Sequence, residues 1–317
     1  MLTRLRNRIY YNLKPLIPRP MQILLRRYYA VLKKQIYRNV WPIDQSASKP
    51  PNKWSGWPSN RKFALVLTHD VDTSVGLKRC YKLMETEKKL GFRSSFNFVP
   101  ERYGSSSEVR QFLAGKEYEV GVHGLNHDGK LFASRKVFQQ RAIKVNDYLR
   151  NWGCTGFRSP AMHHKLEWMH ELDIEYDSST FDTDPFEPQP DGVGTIFPFW
   201  VEGTNGKNGY VELPCTLPQD FTLFVLLNQK DIKIWEQKLE WIAANGGMAL
   251  LNTHPDYMNF NEGKLGIEEY PADFYYEFLN YAKKTYHGHY WHALPKDIAL
   301  FYRREVKKNR LSNNISR

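Results

Sequence analysis

The chain has 317 residues, 41% apolar and 15% aromatic, which allows one large packed domain and is not the composition of a disordered chain. Its formal charge of +11 sits at the ends: residues 1–40 carry ten Lys and Arg with no acid, and 303–317 carry six against Glu305. The remaining stretch, 41–302, holds 29 basic and 33 acidic residues, a net of −4, which argues against a nucleic-acid-binding core, where the cations would lie on the fold itself.

Cys80, Cys154 and Cys215 are few and unpaired in spacing, which fits a reducing compartment and offers no zinc ribbon or redox motif. Arg4, Arg6, Arg8 and Lys14 interrupt the N-terminal apolar residues, so no signal-peptide core is expected, and no later run approaches a transmembrane length. These features predict a cytoplasmic location. The many aromatics fit either core packing or a sugar-stacking groove.

Residues 1–45 read as a basic amphipathic arm. Within it 20–40 has helical periodicity, with Leu24, Tyr28, Val31 and Leu32 near one face and Arg26, Arg27, Lys33, Lys34 and Arg38 over the rest. Such a helix suits peripheral contact with an anionic membrane through residues 1–40, or packing on the globule or a partner. A Pro-, Ser- and Trp-rich linker follows at 46–62, and the main domain is expected over 63–302, with a basic tail at 303–317.

From Phe63 short apolar runs alternate with longer charged stretches. Strands are predicted at 63–69, 94–99, 118–123, 156–159, 174–179, 211–214 and 248–254, and helices at 77–90, 134–151, 164–171 and 231–245. This alternation predicts an α/β fold with a parallel sheet, open or closed into a barrel. Residues 183–210 are predicted as a long loop, with hairpin-like turn chemistry in its TNGKNG segment, 204–209.

Several of these runs end in residues suited to chemistry, and in α/β barrels reactive groups gather at the carboxyl ends of strands. The first ends His69-Asp70-Val71-Asp72, where extended geometry puts both carboxylates on one face. One could bind a metal while the other takes a proton from water, and the residues alone leave open which does which. A cap or turn is the competing role for the pair. The third run ends at His123, and His127 completes an H-x-x-x-H spacing that on a helical turn would bring both imidazoles to one ion. Two histidines and a carboxylate, with positions left for water, form a hydrolytic donor set. His163 and His164 are adjacent and read as a loop feature. Arg158 could hold a carboxylate ionised, and His254, closing the last run, is a candidate general acid.

An Asp-bearing strand end, H-x-x-x-H, Arg158-Ser159-Pro160 and a late strand-end His, in this order, resemble the polysaccharide deacetylase (NodB-homology) family of metal-dependent carbohydrate esterases. The likeness spans roughly residues 60–300. It implies a distorted (β/α) barrel that removes acetyl groups from an amino sugar or glycan. It further implies Asp70 as base, Asp72, His123 and His127 as ligands of a divalent metal (usually zinc, with cobalt, nickel or manganese as alternatives), Arg158 as the residue orienting the base, and His254 as acid. The first motif reads Thr68-His69-Asp70-Val71-Asp72 where T-F-D-D-G is common, as in a subset that places the ligand Asp two positions on. The third lacks the usual Gly. Asp177 and Asp182 are expected to contact substrate or tune His254. The competing readings are a non-catalytic glycan-binding scaffold on this fold, a basic-arm adaptor at a membrane, and a C–N hydrolase acting on a small cyclic amide.

Overall fold

The computed structural model describes residues 17–315, apart from 105–106, 187–188, 204–205, 207 and 262. The first strand, β1 (Phe63–Val71), is buried along its whole length, as its continuous apolar run requires of a strand covered on both faces. Along one edge it pairs in parallel with β8 (Met248–Thr253); other parts of β1 pair in parallel with β2 (Ser95–Phe98) and with β11 (Tyr290–His292). From β2 the sheet continues in parallel through β3 (Glu119–His123), β4 (Gly156–Arg158), β5 (Tyr176–Asp177) and β7 (Tyr210–Glu212). The last member, β6 (Phe199–Val201), is the one antiparallel strand among the described residues. It pairs with β7 across the turn expected at 204–209, part of which lies outside the described residues.

The sheet curls until its ends meet. Past β7 the backbone N–H groups of Thr216 and Leu217 donate to the Leu250 carbonyl at 3.1 Å, and the Thr216 hydroxyl bridges the Met248 carbonyl and the Leu250 N–H. Closure therefore runs through two backbone bonds to one carbonyl and a bridging side chain rather than a full ladder, which is what makes this (β/α) barrel distorted. A separate two-stranded pair joins β9 (Met258–Asn259) to β10 (Tyr270–Pro271).

Among the described residues eight α-helices accompany the strands: α1 (Arg19–Ile36), α2 (Ser74–Leu90), α3 (Ser107–Ala114), α4 (Arg135–Trp152), the single turn α5 (Leu166–Met169), α6 (Lys233–Asn245), α7 (Asp273–Thr285) and α8 (Pro295–Ile315). Their boundaries follow local chemistry. The Thr73 hydroxyl caps α2 at Val75 N–H and the Ser134 hydroxyl caps α4 at Val137 N–H, while α4 stops at a left-handed Gly153. Helices α3, α7 and α8 lie outside the predicted helical stretches: α3 has only eight residues, and in α7 and α8 the apolar positions are interspersed with Tyr, Lys and Arg. Residues 46–62, expected as a linker, are packed against the barrel: Trp57 is buried and its indole N–H donates to the Gly246 carbonyl at 2.7 Å. No described helix is long and apolar enough to cross a membrane.

The main core lies between β1, β8 and the helices α2, α6 and α7, with a second cluster of Val122, Phe138, Leu149 and Phe157 under α4. Trp235 on α6 is fully buried, packs on Phe224 and Phe278, and donates its indole N–H to the Pro218 carbonyl at 2.7 Å. Trp235→Ala removes that volume and that bond, and should cost about 3–5 kcal/mol in urea unfolding.

Candidate active site

The carboxyl ends of β1, β3, β4 and β8 converge on one side of the barrel. Alternation along β1 sends Asp70 toward the interior and His69 outward into the helix layer. There His69 hydrogen-bonds Thr253 Oγ1 at 2.7 Å and Glu87 at 2.8 Å, and Glu87 also accepts from Tyr275 and Ser94. His69 thus ties β1 to α2 and α7 and takes no part in the cleft.

Asp70 is 2% exposed, yet each of its oxygens is met by an amide: Asn97 Nδ2 donates to Oδ1 at 2.9 Å and Asn252 Nδ2 to Oδ2 at 2.8 Å. Arg158, itself buried, lies with Nε 3.7 Å from Oδ1 and anchors Nη2 on Ser178 Oγ at 2.8 Å. Burial pushes the Asp70 carboxyl up, but the charges of His123, Arg158 and His254 and the Asn97 bond outweigh it, so its pKa is lowered. Gly121, in register with Asn97, has no room for a side chain: a Cβ there would meet Asn97 Oδ1 at 2.1 Å.

Asp72 follows β1 directly. Its N–H donates to Asp256 Oδ2 at 2.8 Å, and Asp256 also caps the start of α2 through Gly76 N–H. Asp72 Oδ1 lies 3.3 Å from His123 Nε2 and 3.1 Å from His127 Nε2. His123 Nδ1 sits 3.1 Å from the Arg158 carbonyl, which can only accept, so Nδ1 carries a proton and Nε2 is the nitrogen that faces Asp72. The two histidines are not on a helical turn, as their spacing suggested. An irregular loop joins them, with Gly124 and His127 both in left-handed conformations. Gly124 also packs so closely on Pro160 that a Cβ would fall 2.5 Å from its ring.

One ligand atom from each of Asp72, His123 and His127 lies within 4.8 Å of the others. Asp72 Oδ1 is buried with no hydrogen-bond donor aligned on it, although two imidazole nitrogens face it. An N, N, O donor set with an orphaned carboxylate oxygen at its centre fits a divalent cation of the zinc type.

His254 follows β8, on the other side of Asp70. Asp220 receives its Nδ1–H at 2.7 Å and its backbone N–H at 2.7 Å, and is further held by Tyr270 and by Phe221 N–H. Burial opposes the charged imidazole, but Asp220 outweighs it and raises the pKa to about 10. His254 is therefore protonated at neutral pH.

A cleft of about 950 Å³ opens over these groups, lined by Asp70, Asp72, His123, His127 and His254. Asp177 and Asp182 do not line it. Asp177 is fully buried behind Arg158, in register with Glu212 on β7. Burial and then the Asp177 charge push Glu212 well above the usual carboxyl range, so Glu212 holds the proton of this pair. Asp182 pairs with Lys238 at 2.5 Å on α6, and burial pushes it up to about 6. The partner of His254 is Asp220, which the sequence did not single out. His163 and His164 lie at a loop, His164 Nδ1 donating to the Met162 carbonyl at 3.0 Å.

Comparison with solved structures gives the same architecture. The chain superposes on a protein from Mycobacterium smegmatis described as a polysaccharide deacetylase with a TM-score of 0.60 at 18% identity, covering 81% of this chain and 95% of that one. A counterpart from Pseudomonas aeruginosa PAO1 gives 0.61 at 15%, covering 84% and 99%. The fold is that of the polysaccharide deacetylases. It is shared by the PuuE allantoinase, with a TM-score of 0.58 at 15% identity over 82% of this chain and 96% of that one. No family model and no curated protein matches the sequence.

The His254–Asp220 pair makes a measurable claim. Because its folded-state pKa is raised, the pair's stabilisation is fully present below the ordinary value of 6.5 and is lost as pH rises through about 10. Urea unfolding of metal-free protein from pH 6 to 10 should show a gap between wild type and Asp220→Asn that narrows toward the alkaline end. A gap constant with pH would contradict the ionised pair.

Proposed function

We propose that the protein is a metal-dependent hydrolase that removes acetyl groups from an amino sugar or glycan. The observation that carries this reading is the arrangement around one cleft: an Asp72–His123–His127 ligand set, with an ionised Asp70 and a protonated His254 on its flanks. A divalent ion held by Asp72, His123 and His127 supplies Lewis-acid polarisation of a carbonyl and makes water more acidic. Zinc suits the donors, and cobalt, nickel and manganese share their chemistry.

The chain's own residues do the proton work. Asp70, kept ionised by Arg158 and oriented by Asn97 and Asn252, accepts a proton from the water that attacks the carbonyl. The turn at Ala161, which lines the cleft, offers a backbone N–H to the developing negative charge, whereas the Met162 N–H is already held by the Ser159 carbonyl. His254, charged through Asp220, donates its proton to the departing nitrogen or oxygen. The opposite protonation states of Asp70 and His254 divide the base and acid roles between them. Arg158 acts as a positioning residue: it touches Asp70 and not the cleft.

The allantoinase likeness supports a second reading, hydrolysis of a small cyclic amide at the same groups. A cleft of about 950 Å³ is ample for a sugar chain and favours the first.

Acetate release from a panel of acetylated amino sugars, with allantoin alongside and with chelator as control, tests both readings. Asp70→Asn should keep its metal, measured by plasma mass spectrometry, while turnover falls by about 10²–10⁴-fold. His123→Ala should lose metal and turnover together. Turnover retained in Asp70→Asn would remove the role given to that carboxylate.

A further inference from the structure

Helix α1 packs with its apolar side outward. Its polar side meets the cleft rim: Arg27 donates to the Val225 and Ile267 carbonyls at 2.8 and 2.9 Å, the Arg26 guanidinium lies 4.6 Å over the Phe221 ring, and Arg19 pairs with Glu268. Lys33 is buried and donates to the Pro185 carbonyl. Among apolar residues of the helix only Ile23 and Ala30 are buried. Met21, Leu24, Tyr28, Val31, Leu32 and Ile36 recur at helical spacing on the outer face and are exposed, Tyr28 by 70% and Ile36 by 74%. Over about 15 residues they form a stripe about 22 Å long. The stripe adjoins the cleft, since Leu25 both lines the cleft and is 55% exposed.

An apolar band of this size on a protein surface marks a contact. Charge selects the partner. No acid occurs in residues 1–43, while Lys34 and Arg38 flank the stripe's end and four more cations precede the helix. Two copies meeting through α1 would bring two all-cationic segments together. An anionic lipid surface accepts the apolar residues between its headgroups and attracts the cations around them.

We propose that α1 is an interfacial helix that seats this stripe in the surface of an anionic bilayer and sets the cleft mouth against the headgroups. Resting on the hydrolase reading above, this makes the substrate a sugar carried on a lipid anchor and not a free polymer.

The test uses the full chain and phosphatidylcholine vesicles with or without about one-third phosphatidylglycerol. Wild type should co-sediment with the anionic vesicles, and added salt should weaken binding without abolishing it. The triple variant Leu24→Glu, Tyr28→Glu, Ile36→Glu should bind at least about tenfold more weakly with an unchanged melting temperature, as befits exposed positions. Hydrogen exchange on wild type gives a readout free of any variant: α1 amides should gain protection when vesicles are added. Absence of binding, equal binding by the triple variant, or unaltered exchange in α1 would overturn the proposal. So would a dimer in sedimentation velocity that the variant abolishes without vesicle binding. Vesicle binding with no acetate released from an acetylated amino-sugar lipid carried in those vesicles sinks the hydrolase reading alone, and acetate release without vesicle binding sinks this one alone.

Discussion

An ionised carboxylate that is almost wholly buried is expensive, and the strand ends around Asp70 are organised to meet its cost. Two asparagines from neighbouring strands donate to its oxygens, and Arg158 stands behind it. That arginine is itself buried, so its charge needs balance from the far side as well. Asp177 supplies it, and the register-paired Glu212 takes up a proton, so that the two carboxyls together carry one negative charge. The chain of compensation runs from β1 across β4 to β7. It explains why residues far from the cleft are as buried and as polar as those in it.

The same logic governs His254. A buried protonated imidazole is costly on its own, and Asp220 is what makes that charge tolerable. Asp220 is in turn fixed by Tyr270 from β10 and by its own helical turn. The site therefore contains two charged arms of opposite sign, each stabilised from outside the cleft.

Much of this was legible in the sequence because parallel strands announce themselves as apolar runs and their carboxyl ends must lie together. Asp70, Asp72, His123, Arg158 and His254 all stand at such ends. Asn97 and Asn252 were visible in principle, since each is a polar residue inside an otherwise apolar strand and so needs a buried partner. Asp220 and Asp256 carried no such mark; their roles depend on contacts across 34 and 184 residues. The spacing of His123 and His127 suggested a helix, whereas a loop with two left-handed residues brings them together. Periodicity also revealed the two faces of α1 but could not tell which one turns inward. Cations normally stay in water, and here backbone carbonyls and an aromatic ring at the cleft rim draw them in.

That inverted attachment has a mechanical consequence. A helix fastened by buried leucines can leave its seat only by exposing them, so its detachment is nearly as costly as unfolding. Helix α1 is held largely by arginine hydrogen bonds to carbonyls, which water can replace, and buries little apolar surface besides Ile23 and Ala30. By the same measure β1, buried along its whole length, is far more firmly held. The cleft rim is thus bounded on one side by a helix whose attachment can loosen without disturbing the barrel beneath.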